Sequence, residues 1–338
     1  MKKYDYAVYI GRFQPPHKEH INQIRHGLSL ADKVIIVLGS HRAAPDIKNP
    51  WSAQERQEMV NLCFNDEDKS KLIFVQVRDY KYNNTTWFTD LHNSVNSVTK
   101  DTPKICVIGC VKDASSWYFE ALPESWSREL TPPNHLMHAT EIRDLYFQRD
   151  LKYQQDLHEE VADYLFNWNH DKYNNLVEEW NFIKGYKDMW AMAPYPVTFV
   201  TTDTLVVKNG HVLVIRRKFN PGKGLLALPG GFVNQDESII DSAFRELKEE
   251  TKIMMPKHEL MKYIVDQRVF DHPGRSNRGR TITHAFCVKL PDGGQLPQVR
   301  GSDDAERAIW MPIADLYIKE NEFYEDHSHI ISYFASKL

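Results

Sequence analysis

The chain of 338 residues carries 42% hydrophobic and 26% charged side chains and a net charge of −4. That length is too great for one ordinary domain and fits two, while the near balance of charge offers no basic field for nucleic acid. No apolar run reaches 18 residues, and the four cysteines, Cys63, Cys106, Cys110 and Cys287, lack metal-ligand spacing and read as reduced thiols; a cytoplasmic protein with neither a membrane nor a nucleic-acid partner is expected.

Residues 7–10 form a short apolar run that stops at Gly11-Arg12-Phe13-Gln14-Pro15-Pro16, and helix-like periodicity begins near His17. A second strand is expected over 34–38, a helix over 52–64, a third strand over 72–77 and a fourth over 104–109. Continuous apolar strands alternating with helices predict a parallel, doubly wound sheet. Ligands of such sheets sit at the carboxyl ends of strands, beside helix N-termini that attract phosphate. The turn at 11–16 is therefore the first candidate site, and His17 and His20 flank it with imidazoles able to donate to phosphate oxygens.

Residues 150–192 are aromatic, charged and helical in pattern, with helices expected near 155–168 and 172–191. Pro194 and Pro196 end helix formation. The division this predicts is a first domain over 1–170, a helical connection over 171–195 and a second domain over 196–338. Strands over 197–207 and 211–217 flank Asn209-Gly210, a hairpin signal.

A glycine turn at Gly231 then introduces an acidic helix. Glu246, Glu249 and Glu250 stand at i, i+3 and i+4, so they project from one face within reach of a shared ion, beside an apolar stripe of Ile240, Ala243, Phe244 and Leu247. Crowded carboxylates repel one another, and an all-oxygen set suits a hard cation such as Mg²⁺, with Mn²⁺ as a substitute. Residues 269–288 read as a hairpin with a basic tip containing Arg275, Arg278 and Arg280. Asp304 and Glu306 stand in an acidic stretch before a strand-like run at 308–311, whereas His327 and His329 read as residues of a surface helix and not as metal ligands.

The acidic stretch resembles the signature of the Nudix hydrolases, with Gly231, Glu237, Arg245, Glu246, Leu247, Glu249 and Glu250 all in place and Lys252 where a glycine is usual. The resemblance implies an α/β/α sandwich around a mixed sheet. It makes Glu246 and Glu250 metal ligands, Glu249 a further ligand or the base, ahead of Glu306 and Asp304, and Arg245 and Glu237 supports for the loop and helix. The hairpin is similar to the corresponding segment of ADP-ribose pyrophosphatases, which implies hydrolysis of ADP-ribose to AMP and ribose 5-phosphate.

Residues 11–20 look like the nucleotide-binding turn of archaeal-type nicotinamide-mononucleotide adenylyltransferases, Rossmann-like nucleotidyltransferases marked by His-x-Gly-His. Here the third position is Glu19, whose carboxylate either faces phosphate or points away along the helix. His138-Ala139-Thr140-Glu141-Ile142-Arg143 is similar to a second segment of that family, which implies Thr140 as a helix cap and Arg143 as a ligand of the β- and γ-phosphates of ATP. Lys112, Asp113, Ser115 and Ser116, residues 49–51, and Glu55 with Arg56 resemble further parts of it. Residues 79–87, containing Asn84 and Trp87, resemble its nicotinamide pocket, where Trp87 would stack on the pyridinium ring. The implied reaction moves AMP from ATP to nicotinamide mononucleotide, giving NAD and pyrophosphate. Gly11, Arg12, Phe13 and Gln14 would then form the nucleotide turn, with His17, His20, Arg12 and Arg143 as donors.

Over nearly its whole length the chain resembles the bifunctional nicotinamide-nucleotide adenylyltransferase/Nudix hydrolase family. The implied partners are ATP, nicotinamide mononucleotide, NAD and ADP-ribose, and self-association into a homo-oligomer is compatible with this reading. Two alternatives stay open: a second domain that only senses ADP-ribose, and a first domain that adenylylates another phosphorylated acceptor.

Overall fold

The computed structural model describes residues 2–110, 118–132 and 138–338. The chain divides into two compact units, Met1–Val177 and Glu178–Leu338. The division falls inside 171–195, and most of that stretch is a single helix, α8, His170–Met189.

In the first unit β1 (Tyr4–Gly11), β2 (Ala31–His41), β3 (Leu72–Arg78), β4 (Ile105–Cys110) and β5 (Ser127–Thr131) pair in the order β3-β2-β1-β4-β5, every pair parallel. Alternation along the strands explains their continuous apolar character. Ala7, Tyr9, Val34, Ile36, Leu38, Cys106 and Ile108 pack with Ile21, Ile24 and Leu28 of α1 (Lys18–Leu30) and with Val60 of α2 (Ala53–Leu62). Val8, Ile35, Val37, Ile105 and Val107 pack with Leu91 and Val95, which follow the short α3 (Asp66–Lys69) on α4 (Asn84–Asn96). Both faces of a parallel sheet are thus covered, so neither can carry a polar alternation. The chain leaves β1 toward β2 and β3, then crosses to β4, which puts the topological switch between β1 and β4.

The four expected strands form. The fifth, β5, gives no such signal, because Ser-Arg-Glu-Leu-Thr is an edge strand that among the described residues pairs with β4 alone and is nowhere fully buried. The remaining helices of this unit are α5 (Tyr118–Ala121), α6 (Ala139–Phe147) and α7 (Glu159–Phe166).

The second unit is built on β6 (Thr198–Lys208), β7 (His211–Arg217), β8 (Leu226–Ala227), β9 (Gly230–Phe232), β10 (Ile264–Phe270), β11 (Arg280–Lys289) and β12 (Ala305–Pro312). The main order is β10-β11-β6-β7-β12, with β8 on β7 and β9 on β6. The sheet is mixed: β11 runs parallel to β6, and the other pairs are antiparallel. Asn209 and Gly210 turn the β6–β7 hairpin with φ of 49° and 69°, the left-handed pair a type I′ turn needs. Phe244 and Leu247 of α9 (Ile239–Thr251) join Val206, Leu213 and Val288 in the core, while α10 (Lys257–Met261) and α11 (His327–Ala335) complete the unit.

Where the motif usually has glycine, Lys252 closes α9 with φ of 51° and donates its N–H to Lys248 O at 3.0 Å. A β-carbon in that conformation costs on the order of 1 kcal/mol. Lys252→Gly is therefore expected to raise the unfolding free energy by about 0.5–1 kcal/mol without changing either activity. An unchanged or lowered denaturation midpoint would show that the lysine side chain repays the strain.

Candidate active sites

The first site gathers at the switch point. Gly11 ends β1, Arg12 is exposed, and Phe13 takes φ of 53° with its ring buried. Phe13 packs on His20 with ring centroids 4.8 Å apart, and His20 on His17 at 3.8 Å. The His17 N–H donates to His20 Nδ1 at 3.2 Å. A neutral His20 therefore carries its proton on Nε2, where it can be donated.

Two arginines hold this turn from behind. Arg56 donates to Ser52 O and, through Nη1, to Arg12 O at 2.6 Å and Gly39 O at 2.7 Å. Arg143 donates to Ile47 O at 3.0 Å, to Gln14 O at 2.5 Å and to Thr140 Oγ1 at 3.2 Å. Burial brings both guanidiniums down to about 10, still protonated at neutral pH. Gln14 is spent similarly: its amide gives to Trp51 O at 2.8 Å and accepts from Trp51 N at 3.1 Å. In this structure Arg143 and Gln14 thus hold the turn's backbone.

Glu19 is 4% exposed and turns inward along α1. Its Oε1 accepts from Gln23 Nε2 at 2.9 Å and lies 3.3 Å from Cys110 Sγ, and Gln23 also reaches Thr131 Oγ1 at 2.7 Å. The carboxylate therefore meets Cys110 at the end of β4 directly, and reaches Thr131 at the end of β5 only through Gln23. Gln23 and Thr131 escaped the sequence reading because a glutamine inside a helix and a threonine ending an edge strand give no local signal.

The expectation that Thr140 caps a helix is corrected. The cap of α6 is His138, whose N–H donates to Glu141 Oε2 at 3.1 Å, so Thr140 lies inside the first turn and its hydroxyl serves Arg143. Asn84 is the exposed first residue of α4, and half-buried Trp87 stands one turn on, with Phe88 at 5.0 Å and Tyr118 at 6.1 Å between ring centroids. Lys112, Asp113, Ser115 and Ser116 lie outside the described residues.

The second site is the meeting of α9 with β9. Two glycines admit the helix carboxylates: a Cβ on Gly231 would stand 2.4 Å from Glu246 Oε1, and one on Gly230 would strike Thr202 O at 2.1 Å. Gly230 N–H donates to Glu250 Oε2 at 2.9 Å. Arg245 ties the motif together, gripping Glu237 with Nε at 2.9 Å and Nη2 at 2.7 Å while Nη1 reaches Glu246 at 2.8 Å and Glu249 at 2.9 Å. Its guanidinium holds Glu237 down to about 2.

The three ligand candidates are not equivalent. Burial raises Glu246, against the pull of Arg245, and pushes Glu250 up to about 8, while Glu249 keeps a side chain 43% exposed. Among the described residues no Lys, Arg or His lies within ion-pair distance of Glu250, which is 2% exposed. A buried carboxylate without such a partner calls for a proton or a cation. Among the described residues no three of His, Cys, Asp and Glu converge as a metal cluster, and Glu249 is drawn toward Arg245. Glu246 and Glu250 nevertheless fit a divalent cation by their all-oxygen chemistry and mutual repulsion. Asp303 lies near enough to Glu246, and Asp304 to Glu250, to raise them further. Arg217, closing β7, favours ionised Glu250 and was not singled out, since an arginine ending an apolar strand forms no motif.

Part of the basic hairpin tip serves the fold. Arg275 is 4% exposed and holds Asp326 with two bonds of 3.0 Å, with Asp203 at 3.8 Å. Arg278 lies 4.9 Å from the Phe232 ring, beside Gly231. Nor is α11 a surface helix throughout: His327 is buried, and its Nδ1 accepts from Leu228 N at 2.9 Å. Arg275→Ala would remove the guanidinium that faces two buried carboxylates, so it is expected to lower the unfolding free energy by about 3 kcal/mol or more in denaturant titration; a loss under about 1 kcal/mol would show the pair to be dispensable.

Residues 8–143 match the Cytidylyltransferase-like family model, and residues 198–334 the NUDIX domain model. The nicotinamide/nicotinic acid mononucleotide adenylyltransferase of Acinetobacter baylyi is 38% identical over 148 residues, 44% of this chain and 78% of that one. A crystal structure of a bifunctional NMN adenylyltransferase/ADP ribose pyrophosphatase from Francisella tularensis is 34% identical, covers 99% of both chains and superposes with a TM-score of 0.93. A second structure of such a protein from that organism, complexed with AMP and a manganese ion, gives 33%, 99% of both chains and 0.91. With both family matches in this order and such likeness over almost every residue, the chain belongs to the bifunctional NMN adenylyltransferase/ADP-ribose pyrophosphatase family.

Proposed function

We propose that the protein makes NAD in its first unit and hydrolyses ADP-ribose in its second. In the first, the phosphate of nicotinamide mononucleotide attacks the α-phosphate of ATP, forming one P–O bond as the bond to pyrophosphate breaks. Such a transfer proceeds by positioning and charge neutralisation without a covalent intermediate. His17, His20 and Arg12 would meet the phosphates. Arg56, Gln14 and Arg143 would hold the turn in shape, Arg143 with donor capacity left for the β- and γ-phosphates. Trp87, with Asn84 beside it, would stack on the pyridine ring.

In the second unit, Glu246 and Glu250, joined by Glu249 on release from Arg245, would hold a divalent cation, Mg²⁺ or Mn²⁺, which supplies an acidified water and neutralises pyrophosphate charge. Glu249 remains the first candidate for the base, and Asp304, beside Glu250, is better placed than Glu306. Arg245 would orient the carboxylates through Glu237. Water adds to one phosphorus, the P–O–P bridge breaks, and AMP and ribose 5-phosphate leave. The observation that carries this reading is Glu250, a buried carboxylate seated on a backbone N–H with no cationic side chain in ion-pair distance among the described residues.

A cytoplasmic location accords with four cysteines that form no disulfide, and no helix among the described residues is long and apolar enough to cross a membrane. The test is product analysis of the purified chain with ADP-ribose and Mg²⁺, and separately with ATP and nicotinamide mononucleotide. AMP with ribose 5-phosphate, and NAD with pyrophosphate, are expected. ADP-ribose that binds and stays intact would make the second unit a sensor, and NAD-free turnover of another phosphorylated acceptor would reassign the first.

A further inference from the structure

Away from both motif sites, the first unit holds a cavity of about 350 Å³ between the end of α6, the following turn, the end of α7 and the start of α8. That size lies within the range of small-molecule sites. Its walls are rings: Tyr146 stands 5.1 Å from Tyr153 and 4.8 Å from Tyr173, centroid to centroid, and Trp168 adds another face. The rings are fixed before any ligand arrives. Tyr146 donates to Leu165 O at 2.8 Å, Tyr173 to Tyr146 O at 2.8 Å, and Trp168 Nε1 to Glu55 Oε1 at 2.8 Å. At the rim Leu151 and Phe166 are each 65% exposed, apolar surface that a seated molecule would cover.

The charge of the cavity is one-sided. Arg149 lies 5.9 Å from the Tyr173 ring and donates to Asn174 Oδ1 at 3.3 Å, and no Asp or Glu lines the walls. Among the described residues no carboxylate stands within ion-pair distance of Arg149. The backbone adds an independent sign. After α6 the N–H of Arg149 bonds Tyr146 O at 3.1 Å and that of Asp150 bonds Leu145 O at 2.9 Å, the paired closure of a helix C-terminus whose turning residue is usually glycine. Arg149 occupies that position with φ of 60°, at a cost on the order of 1 kcal/mol. The left-handed closure thus sets the Arg149 side chain at the edge of the aromatic cavity.

We propose that this cavity binds a small planar aromatic anion, with the ring among Tyr146, Tyr153 and Tyr173 and the carboxylate or phosphate on the Arg149 guanidinium. A flat ring suits stacking and edge contacts with fixed tyrosines, and the guanidinium fork suits a two-oxygen anion. An aryl carboxylate and a nucleoside monophosphate share this chemistry.

The test is calorimetric titration of the full chain with nicotinate and with AMP, beside their uncharged counterparts nicotinamide and adenosine. Wild type, Arg149→Gly and Leu151→Trp are compared; the first change removes the charge and relieves the strained backbone, and the second fills the mouth. At least one anion is expected to bind wild type about tenfold or more tighter than its uncharged counterpart, and both variants to weaken that binding about tenfold or more. Arg149→Gly should keep a thermal midpoint at or above wild type, so the loss is not unfolding. The stronger anion identifies the source. Equal affinity across wild type and variants would place the binding at the motif sites, and silence from both anions up to about 10 mM would leave the cavity without this ligand; either overturns the proposal.

Discussion

Glu250→Gln is expected to reduce ADP-ribose hydrolysis on the order of 10³-fold or more while NAD synthesis continues at the wild-type rate. The amide keeps the shape and the acceptor for Gly230 N–H but loses the charge that would hold the cation, an interaction worth several kcal/mol in the transition state, each 1.4 kcal/mol counting about tenfold. The same change should stabilise the metal-free protein at alkaline pH. Burial raises Glu250 in the folded state to about 8, above its unfolded value. For a raised carboxylate the folded state binds the proton more tightly, so this group's contribution to stability is fully present below the unfolded pKa of about 4.3 and is lost as pH rises through about 8. Metal-free wild type should accordingly lose stability across that window, and Glu250→Gln should lose less. Added divalent cation should restore wild type at pH 8 and leave the variant unmoved. Parallel pH profiles for the two would contradict the assignment of Glu250 as a buried carboxylate lacking a cation.

His20→Ala is expected to cut NAD synthesis by on the order of 10²-fold or more, with ADP-ribose hydrolysis unchanged. His20 Nδ1 accepts the His17 N–H at the start of α1, so its removal also costs about 1 kcal/mol of helix capping. A modest fall in thermal midpoint should therefore accompany the kinetic loss. His20→Asn offers a hydrogen-bonding replacement and separates the two effects: recovered stability without recovered synthesis points to phosphate contact. Retained synthesis in His20→Ala would remove the turn from the catalytic site. Glu19 bears on the same experiment. Because its carboxylate lies in the buried cluster with Gln23, Cys110 and Thr131, its charge is engaged with Gln23 and with Cys110 at the carboxyl end of β4.

The sequence by itself determined what short periods can encode. Continuous apolar runs named four strands of the first sheet, Asn209-Gly210 named a hairpin turn, and the spacing of Gly231, Glu237, Arg245, Glu246, Glu249 and Glu250 named the acidic helix and its family. Each of these depends on neighbours within a few residues, where backbone geometry alone fixes which side chains share a face. The tertiary structure decided which of those side chains keep their charge for a ligand. One helix face buries Glu250, half-buries Glu246 and turns Glu249 toward Arg245. Arg143 reaches back to Gln14 O, and Arg275 crosses to Asp326, partners separated by 129 and 51 positions. Such contacts arise only when strands and loops distant in sequence are packed together, and burial, through the cost of removing a charge from water, then sets what each carboxylate and guanidinium can do.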